Sequence, residues 1–430
     1  MPTRRSLLWA LSAVGVAGCS LAPTDDTSAA TPRASATPPP GTEYWYTHPH
    51  PTGNRTLSGA GNLRDTDPVT FELAGQPQWL VAHPAETGSQ WTVVAGDGRA
   101  SRWHVRDGEA TRVGTDDSLP ADTQPVVATG EGEPTLLRPP GEMAAHASPM
   151  VAPGGDGEPA KLLYVAEDGA LVVAGDRRTR FEVDALPDGR LAALGDGRYA
   201  LFTAVTDRYE HGALGDSTEG TTLTVVDPAE PALDWQTTVG PPEVFEGLQP
   251  LVADLDGDGD PEVVTTVADA QQGARIAVFG AEGDRIATGP VHSPGWRHQL
   301  TVGPFGPEGR PELAVVRKPH VDHTLEFYRL RDGDLDVVAT VGGFSTHTYG
   351  SRVLDGAVAG DFDDDGTVEA LVPTTDRDAL AAVRRSGGGA SVRWRLPLDG
   401  LVVSNVAGIS LEGTLAVGVG TGATVSVWQG

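Results

Sequence analysis

Two short stretches carry carboxylates at nearly every second position. The first is Asp254-Leu255-Asp256-Gly257-Asp258-Gly259-Asp260-Pro261-Glu262. The second is Asp361-Phe362-Asp363-Asp364-Asp365-Gly366-Thr367-Val368-Glu369. Acids at alternate positions of a tight loop turn their oxygens inward, and glycine permits the sharp turn. A hard divalent cation takes roughly six to eight such oxygens at about 2.3–2.6 Å. The spacing gives side-chain ligand roles to Asp254, Asp256 and Asp258, a backbone carbonyl to Asp260 and the closing carboxylate to Glu262. In the second stretch the same roles fall to Asp361, Asp363, Asp365, Thr367 (through its carbonyl) and Glu369. Five acids in so short a loop repel one another unless a cation sits among them. The closing acid stands at the ninth position and a strand pattern follows, which excludes an EF-hand. The expectation is about two calcium ions that brace their loops and take no part in activity. A third related stretch, Val302 to Val316, keeps Glu308 and Glu312 but has Pro304 and Gly306 where the first acids would stand. No cation is expected there.

A second set of residues mixes His, Arg, Tyr and Asp. Thr206-Asp207-Arg208-Tyr209-Glu210-His211 is one group, and Arg317-Lys318-Pro319-His320-Val321-Asp322-His323 is another. Trp296-Arg297-His298, Thr346-His347-Thr348-Tyr349-Gly350-Ser351-Arg352 and Thr375-Asp376-Arg377-Asp378 complete it. His320 and His323 have the spacing of a shared metal site, without an evident third ligand. No Gly-x-Ser-x-Gly, no His-Glu-x-x-His and no phosphate loop occurs, so none of the common nucleophile or metallopeptidase motifs is available.

These residues sit between strands. From about Pro68 onward short apolar runs alternate with Gly, Pro and Asp: Leu162-Leu163-Tyr164-Val165, Ile276-Ala277-Val278-Phe279 and Leu313-Ala314-Val315-Val316 are examples. No stretch shows a convincing helical period, so the chain reads as all-β. Acid-Gly pairs recur at 156, 196, 258, 308, 365 and 412. A repeat of roughly 50 residues marks a propeller or similar array. The region 68–430 therefore reads as a β-propeller, most simply of seven blades with four antiparallel strands each. The acidic loops then join the first strand of a blade to its second. All the His and Arg segments fall on the connections of the opposite face, where they would form a positive and aromatic funnel. The candidate ligand-binding residues are Asp207, Arg208, Tyr209, His211, Arg297, His298, Arg317, His320, His323, His347, Tyr349, Arg352 and Arg377.

The Asp-x-Asp-x-Asp-Gly loop ahead of an apolar strand, repeated in an array of this length, resembles the FG-GAP/VCBS-repeat β-propellers. The integrin α-subunit head is a well-known relative. The resemblance covers roughly 76–430, and two units show the full motif. It implies structural calcium ions whose loops share one face of the disc.

The beginning of the chain reads as an address. Arg4-Arg5 precede an apolar run from Leu7 to Ala17, too short to cross a bilayer core of about 30 Å. Val16-Ala17-Gly18-Cys19 follows. Residues 1–18 resemble a lipoprotein signal peptide with a twin-arginine (Tat-like) start. That resemblance implies a lipid on Cys19 and a place on the outer face of the cytoplasmic membrane, in the cell envelope. Cys19 is the single cysteine, so no disulfide within the chain is possible. Residues 19–41, rich in Pro, Thr and Ala, read as a disordered tether. Residues 42–67, with Tyr44-Trp45-Tyr46, read as a segment that docks on the folded body.

The composition fits that picture. The formal charge is −28 with two lysines, which disfavours a nucleic-acid partner. With Gly 55 and Pro 34, a helical bundle is excluded. Two functions follow from these observations. One is a surface-anchored binding module for a protein, glycan or small anionic ligand. The other is an extracytoplasmic propeller enzyme, quinone-dependent or carbohydrate-active, working at the same funnel.

Overall fold

Strand Glu262–Asp269 is buried along its whole length, and its side chains divide between two neighbours. Val263 and Val267 pack with Phe202, Leu223 and Val225. Val264 packs on the other side with Leu313, Val315 and Tyr328. A strand covered on both faces reads as a continuous apolar run rather than an alternating one. That is why the inner strands here read as mostly apolar segments, whereas the outer strand Leu233–Thr238 alternates.

The computed structural model describes residues 42–53, 56–154, 159–230 and 232–430. The expectations for the signal segment 1–18, Cys19 and the tether 19–41 fall outside the described residues. So does the acid-Gly pair at 156.

Seven four-stranded antiparallel blades follow one another, with the short strand Val244–Phe245 joining blades 3 and 4 into one nine-stranded sheet. Blade 1 is Pro77–Pro84, Ser89–Ala95, Arg99–Arg106 and Glu109–Ser118. Blade 2 is Met150–Ala152, Lys161–Val165, Ala170–Ala174 and Arg178–Glu182. Blade 3 is Ala192–Ala193, Tyr199–Thr206, Glu219–Val226 and Leu233–Thr238. Blade 4 is Leu251–Ala253, Glu262–Asp269, Gly273–Phe279 and Arg285–Thr288. Blade 5 is Arg297–Gly303, Glu312–Arg317, Thr324–Arg331 and Asp334–Gly342. Blade 6 is Val358–Asp361, Glu369–Pro373, Ala379–Ser386 and Gly389–Pro397. Blade 7 takes Val402–Ser410, Leu415–Thr421 and Thr424–Gln429 from the end of the chain. Its fourth strand is Val69–Glu72, which pairs antiparallel with Thr424–Gln429.

The apolar clusters between sheets close a ring. Blades 2 and 3 share Leu163, Tyr199 and Leu201, and blades 5 and 6 share Phe327 and Val383. Blades 6 and 7 share Leu371 and Val417. Leu80, Trp91 and Val93 of blade 1 pack on Ala407, Ala416 and Val425 of blade 7. Between blades 1 and 2 stands a reduced sheet of three strands, Glu43–Trp45, Val127–Thr129 and Thr135–Leu136. Val127 and Leu136 touch Trp79 and Val81 of blade 1, while Val126 joins the cluster of blade 2. The molecule is an all-β propeller with the seven four-stranded blades expected, and this small sheet fills an eighth position.

The described residues of 42–67 lie along the body. Besides the strand in the reduced sheet, Thr56–Ala60 runs parallel to Val358–Asp361 of blade 6. Tyr46 and Leu63 are buried. Because strands alternate in direction within each blade, the first-to-second and third-to-fourth connections share one face. The second-to-third and blade-to-blade connections share the other.

Candidate binding face and cation loops

The acidic stretches occupy equivalent corners, joining the first and second strands of blades 4 and 6. Their carboxylates are turned inward by backbone amides. Asp254 accepts from Gly257 N at 2.7 Å and Gly259 N at 3.1 Å, and Asp256 accepts from Asp258 N at 3.1 Å. Asp258 accepts from Asp260 N at 2.8 Å. Glu262 Oε2 accepts from Leu255 N at 2.6 Å. Blade 6 repeats the pattern: Asp361 accepts from Asp365 N at 3.1 Å and Gly366 N at 2.8 Å, and Asp365 accepts from Thr367 N at 3.0 Å. Glu369 Oε2 accepts from Phe362 N at 3.3 Å.

Ligand oxygens of Asp254, Asp256 and Glu262 lie within 4.8 Å of one another, as do those of Asp361, Asp363 and Asp365. Asp258 and Asp260 are exposed and stand outside the first trio. Burial, with Asp256, Asp254 and Asp258 nearby, pushes the Glu262 carboxyl up to about 7. Burial, with Asp363 nearby, pushes Glu369 up to about 7 against the pull of Arg384. The donor set is all hard oxygen, which fits calcium. In the third stretch Glu312 is fully buried between the guanidinium groups of Arg329 and Arg385.

On the opposite face three blades bring their polar segments together. Trp296 and His298 stack with ring centroids 4.4 Å apart, and His347 meets both edge-on. His298 Nε2 donates to Leu354 O at 2.8 Å, so its Nδ1 accepts from the Thr346 hydroxyl at 2.7 Å. His347 Nε2 donates to Ser351 O at 2.8 Å, which leaves Nδ1 to accept from His320 Nε2 at 3.2 Å. Burial lowers His298 and His347 to about 3, so both are neutral at pH 7. Tyr349 stands over His320, centroid to centroid 5.5 Å, and is 65% exposed. Arg377 donates to the Thr348 hydroxyl. From blade 3, His211 bonds through Nδ1 to the buried Glu246, and Ala213 O accepts from Gly350 N at 2.9 Å.

The arginines expected to charge this face are mostly tied internally. Arg208 donates to the carbonyls of Val239 and Glu243. Arg297 is buried against Glu326 at 3.3 Å, and Arg317 reaches the same carboxylate at 2.8 Å. Arg352 bridges Asp188 at 2.6 Å and Asp216 at 2.9 Å. Tyr209 is buried against His211, Asp207 is exposed, and the carbonyl of His323 accepts from Gly343 N and Phe344 N. The solvent side of the group is therefore His320, Tyr349, Arg377 and part of His211. The sequence reading missed the buried acids Asp188, Glu219, Glu246 and Glu326. A lone acid inside an apolar strand, as in Thr324-Leu325-Glu326-Phe327, was the available signal.

A second feature marks this face. The exposed large hydrophobic side chains among the described residues are Val291, Val321, Tyr349 and Leu401, at 45–71% exposure. Val291, Tyr349 and Leu401 stand on blade-to-blade connections, and Val321 on the second-to-third connection of blade 5. All four lie opposite the acidic loops. Buried side chains from several blades also meet beneath this face. Asp355 accepts from the Thr47 hydroxyl at 2.5 Å and lies 3.6 Å from Arg190, whose guanidinium covers Trp79. Asn405 bonds to Leu80 N at 2.8 Å, Leu80 O at 2.9 Å and Thr47 O at 2.7 Å.

No family model matches the chain, and no curated protein matches it. Among solved structures it is similar to the quinohemoprotein alcohol dehydrogenase from Comamonas testosteroni, at 10% identity and a TM-score of 0.42. The likeness covers 79% of this chain and 65% of that one, so this chain spans under two thirds of that protein's length.

Proposed function

We propose that this propeller is a binding module that docks a protein or glycan on the face opposite the acidic loops. The observation that carries this reading is the gathering of Val291, Val321, Tyr349 and Leu401 on that one face. Singly exposed apolar residues are ordinary. Their confinement to one side, rimmed by His320, Arg377 and His211, is the pattern of an interaction surface. Tyrosine at such a rim supplies contact area together with a hydrogen bond. The small-anion version of this reading is weaker, because Arg297, Arg317 and Arg352 are already paired with acids of the chain and Arg208 is tied to backbone carbonyls. The enzyme reading draws no comparable support: His298 and His347 are locked by backbone carbonyls.

In this proposal the acidic face carries structural calcium, held in blade 4 by Asp254, Asp256 and Glu262, in the manner of FG-GAP/VCBS-like repeats. Calcium supplies positive charge to a loop that otherwise repels itself. Lipid on Cys19 would hold the body on the outer face of the cytoplasmic membrane, leaving the docking face free for its partner. The test is crosslinking on intact cells with wild type and a Val321→Asp, Tyr349→Ala double variant. The expected result is one or more crosslinked species that the variant loses while its circular dichroism is unchanged. Equal crosslinking by both proteins, or none with wild type together with no glycan binding, would refute the assignment.

A further inference from the structure

The two acidic loops differ at one place in the sheet. In each blade the closing glutamate opens the second strand and faces one residue of the third strand. The register pairs Val263 with Phe279, Leu313 with Tyr328 and Ala370 with Val383. One step back, Glu262 faces Gly280, Glu312 faces Arg329 and Glu369 faces Arg384. The same position therefore holds no side chain in blade 4 and a guanidinium in blades 5 and 6.

In blade 6 that guanidinium lies inside the acidic loop. Arg384 Nε donates to Glu369 Oε1 at 2.7 Å, and Nη1 donates to Asp365 Oδ2 at 2.5 Å. Nη2 reaches Asp363 at 3.0 and 3.2 Å. Trp394 Nε1 adds a bond to Asp363 Oδ2 at 3.1 Å. Glu369 uses its other oxygen for Phe362 N, as Glu262 does for Leu255 N. The oxygen of Glu369 that would face an ion is thus the one that Arg384 holds. In blade 4 no arginine, lysine or histidine pairs with Asp254, Asp256, Asp258, Asp260 or Glu262 among the described residues. The blade 6 loop is also supported from outside: Gly61 N donates to Asp361 O at 3.0 Å and Leu63 N to Phe362 O at 2.9 Å.

The geometry points to Arg384 as a built-in replacement for the cation of the blade 6 loop, so that the protein takes one calcium ion, in blade 4, and not two. This rests on the calcium reading proposed above. A divalent ion needs the oxygens of Asp363, Asp365 and Glu369 stripped of other partners. A planar guanidinium satisfies several carboxylates at once and stays charged at any working pH. Ion and guanidinium are like charges competing for one place, so the loop accommodates one of them. Blade 5 shows the same exchange carried further. There Arg329, with Arg385 from blade 6, neutralises Glu312, and Pro304 and Gly306 stand where the first two acids would be.

The test is calorimetric titration of the full, metal-stripped chain with calcium chloride. Wild type should take about one ion per chain, Asp256→Ala none, and Asp363→Ala still about one. Arg384→Gly, which copies blade 4, should gain a second site, and Arg384→Gln should do the same if the glycine variant folds poorly. Two ions in wild type, or no gain in either Arg384 variant, would overturn the inference while leaving calcium in blade 4 intact. No ion in wild type but one in the Arg384 variants would support the replacement and remove the blade 4 assignment. No ion in any of these proteins would remove both.

Discussion

Replacing Asn405 with Ala opens the ring where its two ends meet. Asn405 lies on the first strand of blade 7, is fully buried, and bonds both backbone groups of Leu80 on the first strand of blade 1. Its third bond holds Thr47 O from the N-terminal segment. Those first strands face the axis, so the Leu80 groups have no further strand to pair with. Truncation leaves one buried N–H and two buried C=O groups without partners. Each orphan costs about 1–3 kcal/mol, so the loss should be about 3–5 kcal/mol, beyond the usual range for a point mutation. Equilibrium urea unfolding at pH 7 measures it directly, as a lower midpoint at an unchanged slope. Asn405→Asp should be no milder at pH 7, because a carboxylate accepts from Leu80 N but faces two carbonyl oxygens. A loss below about 1 kcal/mol for Asn405→Ala would show that the seam relaxes or hydrates freely, and the reasoning fails.

Two further outcomes are expected. His298 is held near pKa 3 against an ordinary value of 6.5, so its contribution is complete above about pH 6.5 and shrinks as pH falls toward 3. In a His298→Gln variant the stability gap to wild type should therefore narrow by about 2 kcal/mol between pH 7 and pH 5, and a gap independent of pH would contradict the buried neutral imidazole. For the blade 4 loop, calcium at a hundredfold excess over its dissociation constant should add roughly 2.7 kcal/mol. Chelator should remove that gain from wild type and leave Asp256→Ala unchanged, whereas a melt insensitive to chelator in both would exclude an ion there.

The legible parts of this protein were those written locally. Alternating acids with glycine at 254–262 and 361–369 mark loops within nine residues, and Val/Leu/Ala runs covered on both sides mark strands whatever their neighbours. The repeat near 50 residues placed the His-bearing segments on connections of one face. Arginine partners were another matter. Arg352 meets Asp188 across 164 positions of sequence, and nothing near either residue announces the other, so a face that reads as positively charged is largely neutral. Arg384 is an intermediate case, since its contact with Glu369 follows from strand register once the hairpin is drawn. The reduced sheet was hidden because its strands are two or three residues long, and one comes from Glu43–Trp45, far from the other two.

The strand Val69–Glu72 closes blade 7 against the last strand of the chain, and this sets how the body answers a pull. Tension entering from residue 42 first meets the strand at 43–45, then the one at 56–60 held along blade 6, and only afterwards the closing strand. Each of these grips a different sheet, so a tug on the front end is taken up at three separated anchorages in turn rather than concentrated at the clasp. The same arrangement delays completion during synthesis. Until Gln429 has emerged, strand 69–72 has no partner to receive it, and the circle stays an open arc.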